Sequence, residues 1–204
     1  MQINSNATYD VLSIAINLTK YNSDFNSSEI NLFCYFSCLL SLYRGIPTSN
    51  WGYGFIKNEL GVPISAEVQI AIKQALDLGH LIEESDTGYY IISDKGIEFY
   101  NKLCIISRYK DRQYFIDNAC SSLLTNPIGN IRCVLHTDPV ISSVKESSLR
   151  TLLDDDSGAT ELLYSQFSIL KRALNSELKD ELFIVVLTWI KCLQNIEGFG
   201  YANK

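Results

Sequence analysis

Residues 29–45, "EINLFCYFSCLLSLYRG", constrain the fold more than any other stretch. The segment is apolar almost all round a helical projection, with no wide polar stripe. Such a helix cannot lie on a surface and must be wrapped by other elements. Gly45 ends it, and Pro47 stands just beyond the stop, where it does no harm. The flanking segments have the character of wrapping elements. Residues 7–20, "ATYDVLSIAINLTK", carry Val11, Leu12, Ala15 and Ile16 at helical spacing with a polar face between. "YNSDFNSSE" follows as a loop, with Ser27 or Ser28 placed to cap the central helix. "NWGYGFIKNELGV" reads as a short helix, capped by Asn50 and followed by Gly61. Ser65 then opens "SAEVQIAIKQALDLG", whose Val68, Ile72, Ala75 and Leu76 keep the helical period and which Gly79 closes.

Next comes "LGHLIEESDTGYYIISDKGIEFY", residues 78–100. "HLIEE" and "YYIIS" are strands joined by the turn "SDTG", and Ser93 caps a following helix, "DKGIEFYNKLCIISRY". Helices followed by a β-hairpin form the pattern of a winged helix-turn-helix, in which the hairpin is the wing. The spacings, caps and glycine stops agree on it. The expected fold class is therefore mainly α. It comprises an N-terminal helix and loop (1–28), a winged helix-turn-helix (29–103) and a mostly helical C-terminal region (104–204). In that last region Pro127, Gly129 and Pro139 interrupt short apolar runs. Helix is then expected in "VISSVKESSLRTLL", "ATELLYSQFSILKRALN" and "SELKDELFIVVLTWIKCLQNIEG", with "DDD" at 154–156 in a solvated loop.

Many winged helices read DNA, with the third helix in the major groove. The charge opposes that use here. The chain carries a net charge of −6 and its pI is about 4.9, whereas phosphate neutralisation supplies most non-specific DNA affinity. The helix after Ser65 sets Lys73, Gln69 and Gln74 against Glu67 and Asp77. The wing carries Glu83, Glu84 and Asp86 and no base. Residues 29–103 hold nine acids and five bases. A protein-contact role is expected for the wing acids, and for Trp51 and Tyr53, which with Phe55 form either an aromatic contact surface or ordinary core. Trp51 is expected to be the most exposed of the three. One segment runs the other way: "NKLCIISRYKDRQ" groups Lys102, Arg108, Lys110 and Arg112 against Asp111 alone. If it is helical, Arg108 and Arg112 share a face. Phosphate, an acidic partner or plain solvent would each suit such a patch. The competing function is therefore a DNA-binding regulator that dimerises through its C-terminal helices and reads bases with Lys73 and Gln69.

Signs of catalysis are sparse. Of the six cysteines, none forms a C-x-x-C pair, so buried free thiols in a reducing compartment are expected rather than zinc or disulfides. His80 sits at a strand start. His136 lies between Cys133 and Asp138, but three residues so close in sequence rarely converge on one reacting atom. No Walker loop or G-x-G-x-x-G occurs. No cofactor, metal or enzymatic role is expected. No apolar run reaches about 18 residues, the longest being cut by Lys191, and "MQINSNATYD" has neither the basic nor the apolar region of a secretory signal. The expected location is the cytoplasm.

"YDVLSIAINLTKY", "LFCYFSCLLSLYRGIP" and "IAIKQALDLGHLIEES" followed by "GYYIISDKG" together cover roughly residues 5–105. Their order resembles the middle component of three-component ABC-ATPase systems, a family that includes the small accessory subunit of Lamassu-type anti-phage defence. The resemblance implies a non-catalytic winged-helix subunit. Such a subunit bridges an SMC-like coiled-coil ATPase and an effector nuclease, as kleisins and their winged-helix partners do in chromosome-organising complexes.

Overall fold

A computed structural model describes residues 3–136, 138–143, 151–153, 158–174 and 180–201. The chain is mainly helical. Its helices are α1 (Ser5–Lys20), α2 (Ser27–Tyr43), α3 (Ala66–Asp77), α4 (Asp94–Cys104), α5 (Lys110–Ser121), α6 (Ile128–His136), α7 (Pro139–Ser143), α8 (Gly158–Ala173) and α9 (Leu182–Tyr201). Two small antiparallel sheets accompany them. One has the order β2–β1–β5, from Pro63–Ile64, Phe55–Lys57 and Thr151–Leu152. The other pairs β3 (Leu81–Glu83) with β4 (Tyr90–Ile92).

Helix α2 is the axis. Every residue from Glu29 to Tyr43 is buried, and α1, α3, α5 and α8 pack around it. Its cap lies one residue before the expected serines. The Ser28 N–H donates to Asn26 Oδ1 at 2.7 Å and the Asn26 N–H to Glu29 Oε2 at 2.9 Å, a reciprocal capping box. Gly45, at φ +82°, supplies the left-handed turn that releases the chain. One hydrophobic core runs from Ala7 to Leu193 and draws on all three expected segments.

The polar face of α1 is not a solvent face. Asp10, Ser13 and Asn17 are buried because α5 lies along them. Asn17 Nδ2 donates to Asp117 Oδ1 at 3.0 Å, and Gln113 Nε2 donates to the same oxygen. The hydroxyls of Ser13, Tyr9 and Tyr100 all donate to Gln113 Oε1. The two helices are joined by paired polar groups, the condition under which such groups tolerate burial.

The short helix expected over "NWGYGFIKNELGV" is absent. Thr48–Trp51 makes a single 3-10 turn, and a β-hairpin follows. Gly52 at φ +92° breaks the turn. Phe55 is buried and Ile56 exposed, the alternation of a strand. Asn58 Oδ1 accepts the N–H groups of Leu60 and Val62, which folds the loop back through Gly61. Of the helix expected over residues 140–153, the described part is 140–143, within α7, and 144–150 lie outside the described residues. Thr151–Leu152 is not helical but adds to the edge of β1, with Leu152 opposite Phe55. Helix α8 falls on its expected segment, whereas α9 begins at Leu182, later than expected, and runs on to Tyr201; residues 175–179 lie outside the described residues. The acids at 154–156 lie outside the described residues.

Asp138, fully buried, begins α7. Its Oδ1 accepts the N–H groups of Val140 at 2.7 Å and Ile141 at 3.1 Å and the Tyr35 hydroxyl at 3.3 Å. Burial outweighs these bonds and pushes the carboxyl up to about 6. A group raised in the folded state favours folding fully below its unfolded pKa, and that advantage is lost as pH rises through the folded one. The protein should therefore lose about 3 kcal/mol of stability from this group between pH ~4 and ~6. Asp138→Asn keeps an oxygen for the cap. Urea unfolding across that range should show the variant lacking this slope.

Candidate interaction surface

Helix α3, the β3–β4 hairpin and α4 form one continuous outer surface. Gly79, at φ +69°, ends α3. The His80 N–H donates to the Ala75 carbonyl at 2.7 Å, and the chain enters β3. The strands pair Leu81 with Ile92, Ile82 with Ile91 and Glu83 with Tyr90. Directly opposed residues share a face. Leu81 and Ile92 therefore plug the core, while Ile82 and Ile91 stand together on the outer face, 53% and 43% exposed. At the turn, the Thr87 hydroxyl donates to Glu84 Oε2 at 3.0 Å. Ser93 then caps α4 as expected, its Oγ accepting the Gly96 N–H at 3.0 Å and donating to the Gly79 carbonyl at 2.7 Å. Gly96 lets α4 close on the hairpin, since a Cβ there would lie 2.3 Å from the His80 carbonyl oxygen.

The outer face of α3 presents Ala66, Gln69, Lys73 and Asp77. Gln69 is held down, because its Nε2 donates to Ser27 Oγ at 2.8 Å. Glu83, Glu84 and Asp86 are all exposed on the hairpin, where a contact role needs them. His80 is buried against the Phe99 ring, with centroids 4.7 Å apart. That burial, with the Lys95 charge, holds its pKa below the ordinary value.

Trp51 and Tyr53 are not surface aromatics. They are 3% and 8% exposed, because the segment carrying them folds inward over Arg112. The basic patch loses Arg112 for the same reason. Arg112 is 8% exposed and forms a two-pronged ion pair with fully buried Asp10. Arg112 Nε donates to Oδ1 at 2.5 Å and Nη2 to Oδ2 at 2.8 Å. The Tyr53 hydroxyl donates to the same Oδ2 at 2.5 Å. The guanidinium lies 3.8 Å above the Trp51 ring. Burial pushes the Asp10 carboxyl up, while Arg112 and Tyr53 pull it back. Nor do Arg108 and Arg112 share a face. Helix α4 stops at Cys104, and Arg108 lies in a 3-10 turn before α5. There its Nη2 donates to Ser5 Oγ at 2.8 Å and to the Tyr109 hydroxyl. Lys102 pairs with Glu98 at 2.7 Å, one helical turn away, both largely exposed. Of the four bases, Lys102, Arg108 and Lys110 stay exposed and Arg112 alone is buried.

Cys34, Cys38 and Cys120 are buried thiols, whereas Cys133 and Cys192 are exposed. Cys133 faces solvent while the Asp138 carboxylate is turned inward to α7 and Tyr35. Among the described residues no helix is long and apolar enough to cross a membrane.

The residues that sequence reasoning missed are Ile82, Ile91 and Gly96. A signal for the pair existed: "LI" and "II" place apolar residues on both faces of a two-stranded hairpin, and only one face meets a core. No family model, curated protein or solved structure matches the chain.

Proposed function

We propose that the chain is a non-catalytic accessory subunit that acts through protein contacts. In this reading it bridges an SMC-like coiled-coil ATPase and an effector nuclease in a prokaryotic defence complex. Residues 5–104 would form a winged-helix unit, with α1, rather than the 50–61 segment, completing the set of three helices with α2 and α3. The β3–β4 hairpin is then the wing. The assembly and its partners come from the resemblance in the order of the elements.

The chemistry of the outer surface carries the protein-contact part of the reading. The wing exposes an isoleucine pair among acids, and the outer face of α3 balances one lysine against one aspartate. A DNA reader needs donors on that helix and bases on its wing. Gln69, one of the two candidate readers, is already bound to Ser27.

The test is affinity purification of the tagged full chain from its host, with mass spectrometry of the protein and sequencing of any DNA recovered. Recovery of a coiled-coil ATPase together with a nuclease is the expected result. A homodimer enriched on promoter DNA, with duplex binding lost on Lys73→Ala, would establish the regulator instead.

A further inference from the structure

We infer that the outer face of the β3–β4 hairpin is the docking site for a lysine- or arginine-bearing segment of a partner protein, whose aliphatic side chains cover Ile82 and Ile91. The inference rests on the accessory-subunit reading and adds the chemistry of the partner.

Ile82 and Ile91 are directly opposed across the two strands, and both are substantially exposed. The fold does not need them apolar, because the Leu81–Ile92 pair behind them already meets the core. The solvent side of an antiparallel hairpin is ordinarily polar, and an apolar pair there invites association.

The surrounding charge selects the occupant. Glu84 and Asp86 are exposed at the tip beside the isoleucine pair, whereas Glu83, opposite Tyr90, takes the other face of the hairpin. Between Lys73 and Lys95 the chain holds Asp77, Glu83, Glu84, Asp86 and Asp94 and no lysine or arginine. Lys95 itself donates to the Leu78 carbonyl at 2.7 Å. Three occupants are disfavoured by sign alone: a second copy of this hairpin, a nucleic acid and an anionic membrane surface would each bring negative charge to an acidic rim. A cationic segment with aliphatic side chains satisfies both the rim and the isoleucine pair.

The first arm titrates the isotope-labelled full chain with a short synthetic peptide alternating lysine and leucine, and follows backbone amide resonances. A glutamate–leucine peptide and a duplex DNA are run in parallel. Saturable shifts centred on residues 80–93 are expected for the lysine peptide. Its affinity should fall about tenfold or more in Glu84→Lys/Asp86→Lys and in Ile82→Ser/Ile91→Ser. These positions are exposed, so unchanged thermal unfolding should accompany the loss. Equal binding of the glutamate peptide, shifts on another surface, or stronger shifts by DNA would overturn the proposal. The second arm carries both variants into the host purification. Loss of the ATPase–nuclease pair from both supports the hairpin as the docking site. Retention by both, while the parent chain also recovers the pair, overturns the docking site and leaves the accessory-subunit reading intact. A parent chain that recovers no partner defeats that reading, and the titration alone then decides the docking site.

Discussion

Arg112→Met is expected to destabilise the protein by about 3–5 kcal/mol, the usual cost of removing one partner from a buried ion pair. The magnitude comes from what is left behind. Asp10 is fully buried, and both of its oxygens accept from Arg112. Without the guanidinium, the carboxylate keeps only the Tyr53 hydroxyl. The variant also loses the cation above Trp51. The pair itself is a different matter. Well-packed apolar replacements of buried pairs are often neutral or better, so Asp10→Leu/Arg112→Met should recover much of the loss. Urea unfolding of both single variants and the double variant measures this directly. A double variant as unstable as the sum of its parts would mean that the two residues act independently, against the geometry. The single Arg112 variant should also regain ground relative to the parent as pH falls, since its abandoned carboxyl then becomes neutral. A near-full recovery in the double variant would mean that the pair adds little net stability of its own.

Gly96→Ala is expected to cost about 2–3 kcal/mol, toward the upper end for overpacking a well-packed site. In an ordinary helix the same change stabilises by up to about 1 kcal/mol. Here the new methyl would meet the His80 carbonyl oxygen at 2.3 Å and Ile92 Cδ1 at 2.7 Å. The first is backbone, so α4 and the hairpin must separate. Gly129→Ala is the internal control. Gly129 is helical and exposed, and a Cβ there meets nothing within 4 Å, so that variant should be neutral or slightly more stable. Thermal unfolding of the two variants side by side decides the point. If both alanines behave alike, the close approach of α4 to His80 is not a structural requirement.

What the sequence revealed was the part of the fold that is local. The all-round apolar run of α2, the Gly79 stop, the β3–β4 hairpin and the Ser93 cap are each written within a few residues. What it hid depends on distant partners. Asp10 and Arg112 are 102 positions apart, and nothing beside either marks it for burial. The arginine therefore reads as part of a basic patch, and the polar face of α1 carries no local sign of the helix that covers it. Of the two readings open for Trp51 and Tyr53, core packing holds: they sit against Arg112, Phe115 and Phe55, partners that lie outside their own segment or have no local mark. The 50–61 segment failed for a different reason. The helical reading places Gly52 inside the helix and Gly61 at its end, although both, at positive φ, equally suit a turn. The run "FIK", then the turn over Asn58–Gly61 and Pro63, was a strand pattern read at the wrong period. Strand β5 had no comparable signal, because Thr151 and Leu152 are set by the open edge of β1. At the interaction surface, the acids were legible from composition, and the isoleucine pair required the register.

The wrapping of α2 also sets a schedule for synthesis. Helix α2 ends at Tyr43, but α5, which packs against it, is complete only at Ser121, about 80 residues later. At ~5–20 residues per second the ribosome needs roughly 4–16 s to cross that gap. For that interval the greasiest helix of the nascent chain has no α5 to shield it. Any call of the nascent chain on chaperones should therefore last until α5 has emerged.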